Sequence, residues 1–252
     1  MRKIIFSFLF IGLLVFFGIV LGNKYLFKPK NNAVQNVSSN VSDQTNKPEE
    51  IVEIPKQDDV PKESVIPDSV LLEIPFMSQA PFQEWDAFHE DACEEASLIM
   101  VKYFSDNKKL ISKEQGEKEI QHLVLVEEEN KYKSSITLNE LNEVAEKYYG
   151  LGNGRVEKNI TIDDIKKELA DGKPVIVGAA GKVLPNPNFR NGGPNYHMLV
   201  IKGYDEKGFI TNDPGTRLGE NFRYTFDGLF NAIHDWNAKN ILNGGKNYLV
   251  FD

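Results

Sequence analysis

From Lys28 to Pro75 the chain holds no aromatic residue, and from Asn23 to Gln115 it holds no glycine. Asn, Ser, Gln, Lys, Glu and prolines 29, 48, 55, 61 and 67 fill much of that stretch. Such a segment buries too little apolar surface to offset the entropy lost on ordering it. Residues 29–68 therefore read as a disordered linker, and the folded domain is confined to residues 69–252. Forty residues of flexible chain reach about 35 Å r.m.s..

Ahead of the linker, Met1-Arg2-Lys3 is followed by 19 uncharged residues, Ile4 to Gly22. As a helix these span about 28 Å, close to the hydrocarbon thickness of a bilayer. A cleaved signal peptide has a shorter apolar region and a small-residue exit, and Val20-Leu21-Gly22 is a poor exit. Residues 1–28 are expected to be an uncleaved single-pass membrane anchor, or else a signal peptide that leaves a secreted domain. Arg2 and Lys3 on one side nearly balance Lys24, Lys28 and Lys30 on the other. The short end is expected in the cytoplasm and the domain outside it.

Charge and cysteine usage narrow the domain further. The chain has 29 basic and 37 acidic residues, a net charge of −8. Residues 1–68 carry eight of each, so the whole imbalance belongs to the domain. An acidic domain without a basic run is a poor electrostatic partner for nucleic acid, and none is expected. A single cysteine excludes an intrachain disulfide and a Cys-rich zinc site. No metal and no cofactor is expected.

Within the domain, helical signals come first. Asp91 and Glu94 have capping-box spacing ahead of a wide apolar face that includes Leu98, Ile99, Val101 and Phe104, so a helix is expected from Asp91. A second is expected from about Lys113 to Glu129, its first turn weakened by Gly116. A third starts at Thr137 with Glu140 and stops at Gly150; a fourth runs from Thr161 to Ala170. After Pro174 the period changes. Strands are expected at 175–177, 198–204, 209–211, 222–225 and 248–251, with a hairpin at Asp205-Glu206-Lys207-Gly208 and a further helix over 227–236. Leu71 to Phe76 reads as a short strand or extended entry. Helices followed by mostly antiparallel strands make an α+β domain with two segregated lobes.

Cys93, the only cysteine, is placed in the first turn of a helix, where unpaired N–H groups and the helix dipole favour a thiolate. Glu94 and Glu95 oppose that charge, so a cationic partner such as an imidazolium is needed. Of the four histidines, His122 lies mid-helix and His234 beside Trp236. His89 precedes Cys93 by four residues, but the H-E-x-x-H metal pattern lacks its second His. His197 opens a strand after the loop Asn191-Gly192-Gly193-Pro194. Asp213 closes the next strand of the hairpin, near the same end, where it can orient the imidazole through its second nitrogen.

These residues resemble the papain-like cysteine peptidases, and within them the family-thirty-nine-like branch named for bacteriocin-processing enzymes that cut double-glycine leaders. The matching pieces are Ile74-Pro75-Phe76-Met77-Ser78-Gln79, Ala92-Cys93-Glu94-Glu95-Ala96-Ser97, Gly172-Lys173-Pro174-Val175-Ile176-Val177, Tyr196-His197-Met198-Leu199-Val200 and Thr211-Asn212-Asp213-Pro214-Gly215-Thr216. They cover roughly residues 71–251. The resemblance implies a papain-like α+β fold, with a helical N-terminal lobe, a mostly antiparallel sheet in the C-terminal lobe, and the active site in the cleft. It implies Cys93 as nucleophile, His197 as base and then acid, Asp213 as orienting group, and Gln79 with the backbone N–H of Cys93 as oxyanion hole. The amide of Gln79 is a neutral donor that suits that role. Two departures stand out: Glu94-Glu95 follow the cysteine where many relatives carry Gly-Pro, and 14 residues separate Gln79 from Cys93. No transporter domain is expected beside this one, so leader cleavage is not expected to carry over.

The expected activity is that of a membrane-tethered, extracytoplasmic cysteine peptidase, a monomeric domain acting on a peptide or protein substrate. Two alternatives share the scaffold: a surface-displayed binding module that holds a peptide without cutting it, and a cell-wall peptide amidase or transferase with the same triad.

Overall fold

The structure, a computed structural model, describes residues 66–252. The expected anchor over 1–28, and all of the linker but its last three residues, lie outside the described residues. Among the described residues no helix is long and apolar enough to cross a membrane.

The elements, in chain order, are β1 (Val70–Leu71), α1 (Cys93–Ser105), α2 (Lys113–Glu129), α3 (Leu138–Tyr148), β2 (Gly154–Lys158), α4 (Ile162–Ala170), β3 (Val175–Ala180), β4 (Tyr196–Asp205), β5 (Gly208–Asn212), β6 (Phe222–Tyr224), α5 (Phe226–Ala232) and β7 (Asn247–Phe251). The strands form one sheet in the order β2-β7-β3-β4-β5-β6, with β1 added against the far end of β4. Every pairing is antiparallel. Mixed helix and antiparallel sheet is the expected α+β class.

Alternation along the central strands splits the interior in two. Ile176, Ala180, Tyr196, Met198 and Val200 pack with the apolar faces of α1, α2 and α3. Val177, Ala179, Leu199 and Ile201 turn to the other side and pack with α4 and α5. Both faces are covered, so β3 and β5 are buried along their whole length and β4 as far as Tyr204.

Local chemistry accounts for most element ends. Thr137 and Thr161 form full capping boxes with Glu140 and Asp164, each worth about 1 kcal/mol. Gly172 ends α4 at φ +81, a conformation that suits glycine. The hairpin turn joins β4 and β5 as expected, with Asp205 paired to Gly208. The second helix starts cleanly at Lys113 because Ser112 and Gln115 make a capping box. Gly116 allows close packing rather than weakening the turn: a Cβ there would come within 2.9 Å of Met77 Cε.

Four readings differ from the structure. Asp91 does not open α1. It ends a short 3-10 turn, His89–Asp91, and the helix starts at Cys93 with Ala92 as an N-cap that has no side-chain bond. Glu94 is buried and turned toward Cys93 instead of closing a box. The entry strand is only Val70–Leu71, and the expected helix over 227–236 stops at Ala232. The strand β2 was not anticipated, because Gly154–Lys158 carries a single β-branched apolar residue and gains its place from pairing with β7.

Candidate active site

His197 is the second residue of β4, and Asp213 follows the last residue of β5. The two strands pair with Val200 opposite Asn212. One step further along the same register, Asp213 falls opposite Leu199, two residues from His197 and on its face. The imidazole Nε2 lies 2.7 Å from Asp213 Oδ1, with both side chains buried. Nε2–H donates to the carboxylate, which leaves Nδ1 as the basic nitrogen. Nδ1 has no protein hydrogen-bond partner among the described residues.

The carboxylate of Asp213 is bonded on every side. Oδ1 also accepts from Gly215 N at 3.0 Å; Oδ2 accepts from Tyr224 Oη at 2.6 Å and from Asn186 Nδ2 at 3.0 Å. Burial pushes the carboxyl upward, but His197, Tyr224 and the Gly215 amide outweigh it and hold it below its ordinary range. Phe189 packs edge-on to the imidazole at 5.2 Å between centroids. Gly215 closes the other side, where a Cβ would come within 2.7 Å of His197 Cε1. Asn186 and Tyr224 were missed in the sequence. Asn186 sits between two prolines in a long loop and Tyr224 on a short edge strand, and neither position carries a chemical signature.

Cys93 opens α1 as expected, but its setting differs. The residue is 4% exposed and packs in the same core as Tyr196 and Met198. Its Sγ donates to Glu94 Oε2 at 2.8 Å and accepts from the backbone N–H of Met198, the residue after His197. Among the described residues the sulfur makes no hydrogen bond to the imidazole. Burial and the neighbouring Glu94 and Glu95 push the thiol well above its ordinary value, more than any helix-terminal potential lowers it. The resting group is a neutral thiol, not the thiolate the helix start suggested.

Behind the sulfur lies a group of buried carboxyls. Burial and the charge of Glu95 raise Glu94 to about 8, and burial raises Glu95 to about 7. Glu127, on α2, is pushed up to about 10 by burial and by Glu95, so it stands as the acid that donates to Glu95. Glu95 Oε2 and Glu127 Oε1 have no partner. Among the described residues no group of three or more His, Cys, Asp or Glu is arranged to hold a metal ion.

Gln79 is laid beside the site by the extended segment before it. Lys202 Nζ and Asn212 Nδ2 donate to Ile74 O, and Gln79 N donates to Pro214 O at 3.0 Å. Its Nε2 donates to His89 O at 2.8 Å and to Glu90 O at 3.1 Å, and Oε1 is buried without a partner. Both amide protons are thus engaged in this arrangement, and oxyanion binding would require one to be released. The long interval to Cys93 is held by His89, whose ring bridges Asp86 at 2.8 Å and Glu117 of α2 at 3.0 Å. His122 is exposed, and His234 Nδ1 bonds Gly244 O rather than packing for chemistry. Trp236 lies against Tyr196.

His197 and Gln79 open on a cleft of about 750 Å³, lined also by Trp85, Glu90 and Asp91 and by the 188–194 and 215–218 loops. Its size suits several residues of an extended peptide.

The family model described as Peptidase_C39 like family matches residues 71–240. Among solved structures, one described as a C39-like peptidase from Bacillus anthracis aligns with 74% of this chain and 98% of its own, at 17% identity and a TM-score of 0.49. A search of curated proteins gives no match.

Proposed function

The chain belongs to the Peptidase_C39-like family, and from that premise we propose that it is a cysteine peptidase with Cys93 as nucleophile, His197 as base and Asp213 as orienting group. The observation that carries the reading is the buried His197–Asp213 couple at 2.7 Å, beside a sulfur bonded to the next backbone amide.

The reaction starts from a thiol. The Cys93 side chain turns about χ1 away from Glu94 and passes its proton to Nδ1 of His197. The imidazolium formed is stabilised by the ionised Asp213 at Nε2. The thiolate then attacks the substrate carbonyl carbon. The oxyanion takes the backbone N–H of Cys93 and the Gln79 amide, whose longer bond, to Glu90 O, is the one released. His197 gives its proton to the leaving amine as the C–N bond breaks, and water hydrolyses the thioester by the same route. The anchor over 1–28 and the linker would hold this domain outside the cytoplasm, near the membrane.

The test is the full chain against a degenerate octapeptide pool, with cut sites read by mass spectrometry. The wild type is expected to cut, and Cys93→Ala and His197→Ala to lose at least a thousandfold in rate. Binding of peptides by wild type and Cys93→Ala alike, with no product from either, would leave a peptide-holding module instead. Transfer of the acyl group to an added amine would mark an amidase or transferase.

A further inference from the structure

The described domain contains four arginines. Arg155 pairs with Glu157 and Glu168, and Arg223 with Asp205. Arg190 and Arg217 are exposed, make no ion pair among the described residues, and both line the cleft that holds His197. In a chain of net charge −8, the two unpaired guanidinium groups therefore stand together at the candidate site.

Their placement is built rather than incidental. Arg190 follows Phe189, whose ring packs edge-on to the imidazole. Arg217 stands two residues after Gly215, which is packed against the same imidazole. The Arg217 turn is fixed by Thr216, itself buried, whose Oγ1 accepts from Leu218 N at 3.0 Å, and by the bond from Asp213 N to Gly219 O. Two loops from distant parts of the chain thus bring two cations to the His197 side of one cleft. Glu90 and Asp91 line the same cleft and pair with neither arginine within ion-pair distance. A carboxylate on the substrate would be attracted to the two arginines and repelled by Glu90 and Asp91.

We infer that the cleft selects peptides bearing a carboxylate close to the scissile bond, held by Arg190 and Arg217. Guanidinium is the side chain that meets a carboxylate with two parallel hydrogen bonds. The carboxylate can come from an Asp or Glu side chain or from a free C-terminus. The inference rests on the cleft being the substrate site of the proposed peptidase.

The experiment uses octapeptide pools free of Asp and Glu except for one fixed Glu, walked through the eight positions, and twin pools with Gln in its place. N-termini are acetylated, and C-termini are either amidated or free. With the full chain, kcat/KM is expected to be roughly tenfold higher for Glu than for Gln at one or two positions, about the worth of two partly exposed charge pairs. If instead only the free C-terminus raises the rate over its amide, the carboxylate is terminal. In Arg190→Gln/Arg217→Gln the Glu:Gln ratio should fall to near one, and in Arg190→Glu/Arg217→Glu below one. Arg223→Gln should keep it. Raising ionic strength to about 1 M, where the Debye length is about 3 Å, should also flatten it. Equal rates for all twins in the wild type with no gain from a free C-terminus over its amide, or a carboxylate preference that survives the double substitution, overturn the inference while leaving the peptidase reading intact. If no pool is cut, the peptidase reading fails, and Cys93→Ala decides the inference by itself through the fluorescence of Trp85, read in a Trp236→Phe background: tighter binding of a Glu pool supports it, and equal or absent binding overturns it.

Discussion

Two buried polar clusters meet near the start of β4, and they are built in opposite ways. Around Asp213 every carboxylate oxygen has its donors: His197, Gly215, Tyr224 and Asn186. Around Cys93 three glutamates crowd together, two of their oxygens have no partner, and every group is pushed toward its neutral form. The first cluster holds a charge ready. The second keeps charge away until something changes. A satisfied low-dielectric network is rigid, and a half-satisfied one carries the cost of its unpaired groups. The base is therefore preorganised, while the nucleophile is held as a thiol against Glu94.

Disrupting the satisfied cluster should cost most. In Asp213→Asn the amide cannot stabilise an imidazolium and can hold the wrong tautomer, so kcat should fall by about two to four orders of magnitude. Steady-state rates on a cleaved octapeptide check this, with circular dichroism confirming the fold. A fall of less than tenfold would show that Asp213 is structural.

Relaxing the crowded cluster should give a smaller effect of opposite sign. Glu94→Gln removes the carboxylate that accepts the thiol proton, so the Cys93 thiol should ionise more readily. One unit of pKa gives about ten times more thiolate below the pKa. Iodoacetamide should label Cys93 about tenfold faster in the variant than in the wild type at pH 9, where Glu94 of the wild type is ionised. Equal labelling would mean that burial alone holds the thiol neutral.

The smallest effect concerns stability. Glu127 holds a proton in the folded state that the unfolded chain releases above its ordinary pKa, near 4.5. Its folded pKa is raised, so its contribution is fully present below pH 4.5 and is lost as pH rises toward about 10. His89, raised by Glu117 and Asp86 against the effect of burial, contributes in the same direction above its ordinary value of 6.5. Thermal unfolding midpoints should decline from pH 5 to pH 8. Glu127→Gln, which cannot ionise, should raise the midpoint at pH 8 by about 5 °C and at pH 5 by little, at about 2–4 °C per kcal/mol for a domain of this size. An equal shift at both values would point to packing rather than titration.

Local patterns announced much of this architecture. Thr137-Glu140, Thr161-Asp164 and the Asp205–Gly208 turn are properties of neighbouring residues, and they hold in any context that permits a helix or a hairpin. His197 and Asp213 were legible because one short turn joins their strands, so their separation along the sheet is nearly fixed. The capping reading of Asp91 failed because Glu94, three residues on, has a stronger use inside the core beside Cys93. Asn186, Tyr224 and Glu127 could not be read, since each gains its role from a partner 11 to 38 residues away, as from Asn186 to Tyr224, or on another helix.

The amino-acid order alone determined the class of the domain and which sulfur and which imidazole are available to it, because capping, alternation and turn formation act over a few residues. Only the packed molecule decided which way the sulfur points, which protons Gln79 has to give, and that two arginines remain unpaired beside His197. Those are matters of desolvation and of neighbours brought together from opposite ends of the chain, and no short-range pattern encodes them.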